Sequence, residues 1–252
     1  MSATSRPSSS RSTDGPLEAS LRDVPAEAEP DRAEHRWPAV AAVVVALTLY
    51  ALLPSGFTPW LRYAVVGVCV LLLVPLVLLN PLRLRRQTAW SRRLSTALAV
   101  VLAAANLVAL GQLIVALLRT EHDESGALLL AAAQVWATHA IVFALLYWEL
   151  DRGGPVVRAL AQREDIPRAD IRFPQDTDHE AVSEVARWSS QATGWTPNFV
   201  DYLYFSLSNC MAFSPPDAVP LSTRIKVLVG LQAFGAFVVL VLVIARAVAL
   251  LG

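Results

Sequence analysis

Apolar and polar positions fall into long blocks along this chain. Residues 1–36 are polar, rich in Ser, Pro, Arg and Glu, with five Arg against seven acids. From Trp37 the pattern inverts. Five apolar runs follow, Trp37–Pro54, Trp60–Asn80, Ser95–Leu118, Ala127–Trp148 and Ile225–Leu250. Each is near the roughly 20 residues that a helix needs to cross a hydrocarbon core. Backbone N–H and C=O groups in lipid must pair within their own segment, so the runs predict helices. Pro54-Ser55-Gly56-Phe57-Thr58-Pro59 is turn-like and predicts an antiparallel hairpin of the first two. Pro75 lies inside the second run, where a membrane helix tolerates a kink.

The polar intervals set the orientation. Residues 81–94 carry Arg83, Arg85, Arg86, Arg92 and Arg93 and no acid, whereas Arg119–Gly126 is short and acidic. The positive-inside rule places the Arg-rich loop and the N-terminal tail in the cytoplasm, and Arg119–Gly126 outside. The tail cannot bury enough apolar surface to offset its ordering entropy, so disorder is expected there. Residues 149–196 are polar, with Asp151-Arg152-Gly153-Gly154-Pro155 as a helix breaker. Pro155–Arg163 predicts a short interfacial helix. Thr177–Gln191 predicts a second helix, with Thr177 and Glu180 as a capping box and Val182, Val185 and Trp188 on one face.

Composition agrees with the pattern. Of 252 residues, 55% are apolar and 17% charged, and the formal net charge is zero. Soluble domains run nearer 25% charged. A soluble enzyme, a nucleic-acid binder driven by positive charge and, with two cysteines, a disulfide scaffold are excluded. The expected organisation is a tail (1–36), a four-helix membrane region (37–148), a polar loop (149–196), and a short helix, turn and last helix (197–252). Twenty Arg against one Lys suggest a bacterial source.

Candidate chemistry is sparse. Asp201, Ser206, Ser208, Asn209, Ser214 and Asp217 lie in the short segment before the last run. A carboxylate at membrane depth is often functional, although Asp201 also fits a helix cap. His139 is the only histidine within a run, and with Gln134, Thr138 and Asn106 it predicts a polar seam between the third and fourth helices. The seam reads either as a proton or ion path or as hydrogen-bonded packing. Cys69 and Cys210 read as small apolar residues. Trp37, Trp60, Trp90, Trp148 and Trp195 fall at run ends, as an interfacial belt does. No metal-ligand, Walker, dinucleotide or nucleophile motif occurs, so no cofactor, no enzyme activity and no nucleic-acid partner are expected.

Tyr204–Ser222 resembles, without a gap, the pore loop of two-transmembrane and tetrameric cation channels. Tyr204-Phe205-Ser206 matches the pore-helix aromatics, and Asp217, Val219 and Pro220 match the residues after the filter. Ala212-Phe213-Ser214-Pro215-Pro216 stands where the glycine-rich filter would be. Proline fixes φ and cannot copy glycine geometry, which excludes a potassium-type carbonyl ring. The chain also resembles an uncharacterised bacterial membrane family, the "domain of unknown function 1345". Phe173-Pro174, Asp201–Leu207, Ser214–Asp217, Trp136–Ala140 and Phe143–Tyr147 carry that likeness. It implies a plan of four helices, a polar loop, a short helix, a turn and a last helix, and no established activity.

The expected fold is therefore an all-α integral plasma-membrane protein, a bundle of five to six transmembrane helices with a pore-loop-like short helix before the last. Two topologies compete. If Thr196–Phe213 crosses, six spans keep the polar loop cytoplasmic and turn Ser214–Pro220 outward. A re-entrant loop from outside would instead put the Arg-rich loop outside, against its charge. The expected function is a channel-like pore with a degenerate filter, homo-oligomeric in the lipid bilayer. The alternative is a non-conducting scaffold or partner-binding subunit.

Overall fold

The computed structural model describes residues 34–54, 59–79, 89–119, 125–211 and 217–249. Five long helices form in the five apolar runs: α1 (Trp37–Ala51), α2 (Pro59–Leu79), α3 (Ala89–Arg119), α4 (Ser125–Leu150) and, last, α9 (Thr223–Ala249). Between α4 and α9 lie the short α5 (Pro155–Leu160), α6 (Ser183–Ala186) and α7 (Ser190–Thr193), and the longer α8 (Phe199–Met211). A two-stranded antiparallel ladder joins β1 (Ile171–Arg172) to β2 (Val219–Pro220), with Ile171 opposite Pro220. Three helices, Trp90–Arg119, Gly126–Gly153 and Thr223–Ala249, are long and apolar enough to cross a membrane. Two shorter apolar helices, Trp37–Ala51 and Arg62–Leu78, accompany them. Pro75 is accommodated within α2, which continues past it.

The centre is α4, which touches α1, α3, α8 and α9. It is apolar around most of its circumference, as a helix enclosed by others should be. Ala131, Val135, Ala140, Val142, Ala144 and Tyr147 are all buried. α9 is peripheral: Val227, Leu231, Phe234, Phe237, Val241, Ile244 and Val248 are exposed on it. These recur at three- and four-residue steps, which is the ridge a helix turns to lipid or to another copy.

Contacts order the helices end to end. Arg36, before α1, donates to the Leu76 carbonyl near the end of α2. Ser95 in the second turn of α3 donates to Glu149 at the end of α4, at 2.5 Å. These residues mark what we call the charged end. Arg62 early in α2 donates to the Leu53 carbonyl after α1, at the far end. Leu117 of α3 and Leu128 of α4 are in the same far-end cluster as Tyr50, Leu53 and Val239. Thus α1 to α4 run up, down, up, down, starting from the charged end.

The short helix α8 behaves differently. It begins at the charged end, where Phe199 packs edge-on against Trp148 at 6.0 Å and the Tyr202 hydroxyl donates to Asp151 at 2.5 Å. Ser206 then donates to the Ala140 carbonyl at 2.6 Å. Cys210 clusters with Ala140 and Ala236, beside Trp136 and Leu207. Its 13 residues make about 20 Å of helix, and its last turn lies level with the middle of α4. By Val219 the chain is back at the charged end, paired with β1. α9 starts there, with Arg224 donating to the Leu150 carbonyl at 3.0 Å, and runs to the far end at Val239. So α8 enters and the chain returns on one side, rather than passing through.

The polar loop departs from expectation in both of its helices. The helix read over Pro155–Arg163 forms over Pro155–Leu160 and stops there, and Thr177–Gln191 is not one helix. It breaks into a 3-10 turn at Asp178–Glu180, then α6 and α7. Ala181 and Val182 are extended, with ψ near 178° and 151°. The Thr177 hydroxyl donates to the Pro174 carbonyl instead of capping a helix, and Ser189 caps α7. Val182 and Trp188 are about 70% exposed. With nothing to cover that face, a marginal helix of this length lacks the packing that stabilises helices in proteins. The breaker does stop α4: Arg152, Gly153 and Gly154 all have positive φ, and a Cβ on Gly153 would meet the Pro167 ring at 3.0 Å.

Candidate functional site

Two polar assemblies sit inside this apolar frame, one at mid-depth and one at the charged end. At mid-depth, α3, α4, α8 and α9 each contribute. His139 Nδ1 is 2.6 Å from Asn106 Oδ1, and its Nε2 is 3.1 Å from the Gln232 carbonyl. The Asn106 amide nitrogen donates to the Val135 carbonyl. A neutral imidazole has one N–H, yet both ring nitrogens face oxygen. Gly235, one turn beyond Gln232, lets the α9 backbone approach: a Cβ there would lie 3.0 Å from Leu110 and 3.4 Å from the His139 ring.

Gln232 is fully buried and uses both ends of its amide. Its oxygen accepts from the Tyr147 hydroxyl at 2.7 Å. Its nitrogen donates to Ser206 Oγ at 2.6 Å, to the Ser206 carbonyl at 3.0 Å and to Cys210 Sγ at 3.1 Å. An unpaired amide in hydrocarbon costs several kcal/mol, so this set of bonds ties α8 to both α4 and α9.

At the charged end the centre is Asp151, which is fully buried. It accepts from the backbone N–H of Asp170 at 2.7 Å and of Ile171 at 3.3 Å, and from Tyr202. Arg152, in the left-handed region at φ 51°, pairs with Asp176 and with Asp151. Arg158 is 2% exposed, donates to the Trp148 and Asp151 carbonyls at 2.8 Å each, and lies 4.9 Å over the Tyr202 ring. Glu34 accepts from the Trp148 indole and the Phe199 N–H, with Arg158 at 3.9 Å. Burial pushes the Glu34 carboxyl above its ordinary range, against the opposing pull of Arg158. Burial also acts to raise Asp170, but hydrogen bonds from Arg224 and Ser222 outweigh it and hold that carboxyl below the usual range. Arg224 pairs with Asp170 through two nitrogens, which locks the start of α9 to the loop.

The residues singled out from the sequence are dispersed. Asp201 accepts from the Asn198 N–H at 2.8 Å and so closes the first turn of α8. Ser206 is buried and turned inward. Ser208 and Asn209 are half-buried on α8, and the Asn209 amide nitrogen has no hydrogen-bond partner among the described residues. Asp217 is exposed, and Ser214 lies outside the described residues. Asn106 and His139 are adjacent, whereas Gln134 donates to the Leu52 carbonyl at the end of α1. Among the belt tryptophans, Trp37, Trp60 and Trp90 are more than half exposed at helix ends. Trp148 is instead buried under Glu34, and Trp195 packs on Phe173. Both cysteines are buried and free.

Gln232, Tyr147, Asp151, Arg158 and Glu34 were not singled out. Gln232 carried a signal, a lone amide within an apolar run. The others did not, because most of their partners are 7 to 165 residues away in sequence. Comparison of the chain with protein-family models, with curated proteins and with solved structures finds no match.

Proposed function

We propose that the chain is a plasma-membrane protein that crosses five times. Its charged end is cytoplasmic and α8 forms a re-entrant hairpin from that side. In this reading α1 to α4 and α9 cross, and the N-terminus is cytoplasmic. The Arg-rich loop at 81–94, with five Arg and no acid, supports this orientation. The re-entrant reading then agrees with the charge of the loop at 81–94, because α8 enters from the Arg-rich side. Non-helical backbone at membrane depth is tolerated where protein or a water-filled cavity surrounds it.

The function proposed for this arrangement is a channel-like pore in a homo-oligomer, with no catalytic activity. One observation carries it: a helix that stops at half-depth and returns to its own side. Such a helix points one end of its dipole at the bilayer midplane. In α8 that is the C-terminal, negative end, which favours a cation, as the half-helices of transporters do. Val200, Tyr204 and Met211 are exposed and Ser208 half-buried on the outer face of α8, beside the exposed ridge of α9. An oligomer axis along this face would be lined by both. The likeness to the uncharacterised family of unknown function 1345 is carried with the same proposal.

Purified full-length protein in planar bilayers should pass monovalent cations, and Ser208→Trp should block them. Absence of conductance in any gradient or voltage refutes the pore. The topology has its own test. Single cysteines at Thr88, Leu160 and Asp217 should label from the cytoplasm, and one at His122 from outside. Labelling of Asp217→Cys only from outside overturns the hairpin. A second reading, a non-conducting scaffold, is favoured by the inward polar side chains, since Ser206, Gln232 and Tyr147 are bonded to one another.

A further inference from the structure

A cavity of about 80 Å³ lies among α1, α2, α3, α4 and α5, away from the mid-depth assembly and sharing Trp148 with the charged-end one. By the measure in which one water needs about 10–15 Å³, it has room for roughly five to eight water-sized spheres. Its wall is mostly apolar, from Val40, Val43, Leu73, Leu98, Leu102 and Leu145. An apolar wall of this kind gains dispersion contacts from an apolar occupant.

The polar lining is confined to one end. Arg36, Ser91, Arg92, Ser95 and Glu149 lie where α1 and α3 begin and α4 ends. Two guanidiniums there oppose one carboxylate. That carboxylate is already engaged, accepting from the Ser95 hydroxyl at 2.5 Å and the Thr96 hydroxyl at 3.4 Å. Arg36 is held in position by the Leu76 carbonyl. The mouth therefore presents net positive charge toward an incoming group, next in sequence to the remaining arginines of 81–94.

Depth identifies the occupant. Along α3 the lining runs from Ser91 to Leu102, eleven residues or about 16 Å of helix. Half of a typical hydrocarbon core is about 15 Å. The cavity thus begins at a basic mouth and extends about one leaflet inward. We propose that it holds one acyl chain of an anionic glycerophospholipid, with the headgroup phosphate on Arg92, the exposed guanidinium of the mouth. The chain supplies contacts to the apolar wall, and the phosphate matches the guanidinium fork. This inference rests on the membrane-embedded reading and on the charged end facing the lipid headgroups. It does not depend on conduction.

The test uses delipidated full-length protein in detergent, titrated with phosphatidylglycerol or phosphatidylcholine and read by native mass spectrometry. One phosphatidylglycerol per chain should bind at least tenfold more tightly than phosphatidylcholine. Arg92→Ala, an exposed position, should reduce that preference about tenfold without altering the helical circular dichroism. Ala99→Phe, which fills the apolar part, should weaken both lipids. Millimolar inorganic phosphate should not displace the lipid. Equal binding of the two lipids, an unchanged preference in Arg92→Ala, or displacement by phosphate would each overturn the assignment. Because binding is read directly, a chain that does not conduct can still pass this test.

Discussion

Gln232 is the bolt that holds the half-depth helix, and its removal gives a quantitative test. Gln232→Leu keeps the volume and takes away the amide. Two links to side-chain oxygens are cut, Tyr147 to Oε1 and Nε2 to Ser206, together with a weaker one to the Cys210 sulfur. Interhelical hydrogen bonds in membrane proteins average about 0.6 kcal/mol and reach about 1.7, so the direct loss is roughly 1–3 kcal/mol. The Tyr147 hydroxyl is left buried without its acceptor, which adds about 1–3 kcal/mol. The expected loosening of α8 is therefore about 2–6 kcal/mol. Cys210 reports on it, since its sulfur lies 3.1 Å from Gln232 and is 2% exposed. In a Cys69→Ala background, a membrane-permeant maleimide reaches Cys210 only when α8 moves. Each 1.4 kcal/mol is a factor of ten, so labelling should accelerate by about 30-fold or more. Leu113→Ala, buried in the far-end cluster, should leave the rate near wild type if α8 opens locally. A Gln232→Leu rate within twofold of wild type would refute the role given to this side chain.

Other consequences can be measured. Asp151→Ala removes the acceptor for two backbone N–H groups and Tyr202. It should cost about 3–5 kcal/mol, seen as a lower melting temperature in detergent. The Asp170 carboxyl is held below its ordinary range, so its contribution to stability is present above the usual carboxylate pKa and is lost as pH falls through the depressed one. Asp170→Asn should abolish that acid limb in thermal melts at pH 2–5. Glu34 has the opposite sign: its carboxyl is raised, so its contribution is fully present at low pH and declines as pH rises through the raised value. Glu34→Gln should remove that decline, and an unchanged pH profile would contradict it. Gly235→Leu should separate α9 from α3 and α4, because even a Cβ meets Leu110 of α3 at 3.0 Å and the His139 ring of α4 at 3.4 Å. Proteolysis at the start of α9 should then quicken.

How much of this was legible beforehand depends on the range of the interaction involved. The long helices follow from uncharged apolar runs, whose backbone groups pair within their own segment. Pro155 and the glycines of 153–154 announce the end of α4 in the same local way. The helix read over 177–191 failed because an apolar stripe predicts a helix only where something covers it. Trp148 was misplaced because a run-end tryptophan looks interfacial until Glu34, more than a hundred residues earlier, is seen to cover it.

The sequence by itself determined the class, the helices and the basic face. These depend on hydropathy and charge counted along the chain. Only the tertiary structure decided which way α8 goes. A helix of 13 residues is compatible with crossing or returning. The choice comes from long-range contacts: Ser206 with Ala140 and Gln232 at one end of the segment, and Val219 with Arg172 at the other. It also decided that Gln232 joins the seam expected from His139 and Asn106, since hydrogen-bond partners on separate helices leave no periodicity in a sequence. The buried charges of Asp151, Arg158 and Glu34 are explained in the same way. Each is costly alone, and the fold brings their partners together from four separate segments.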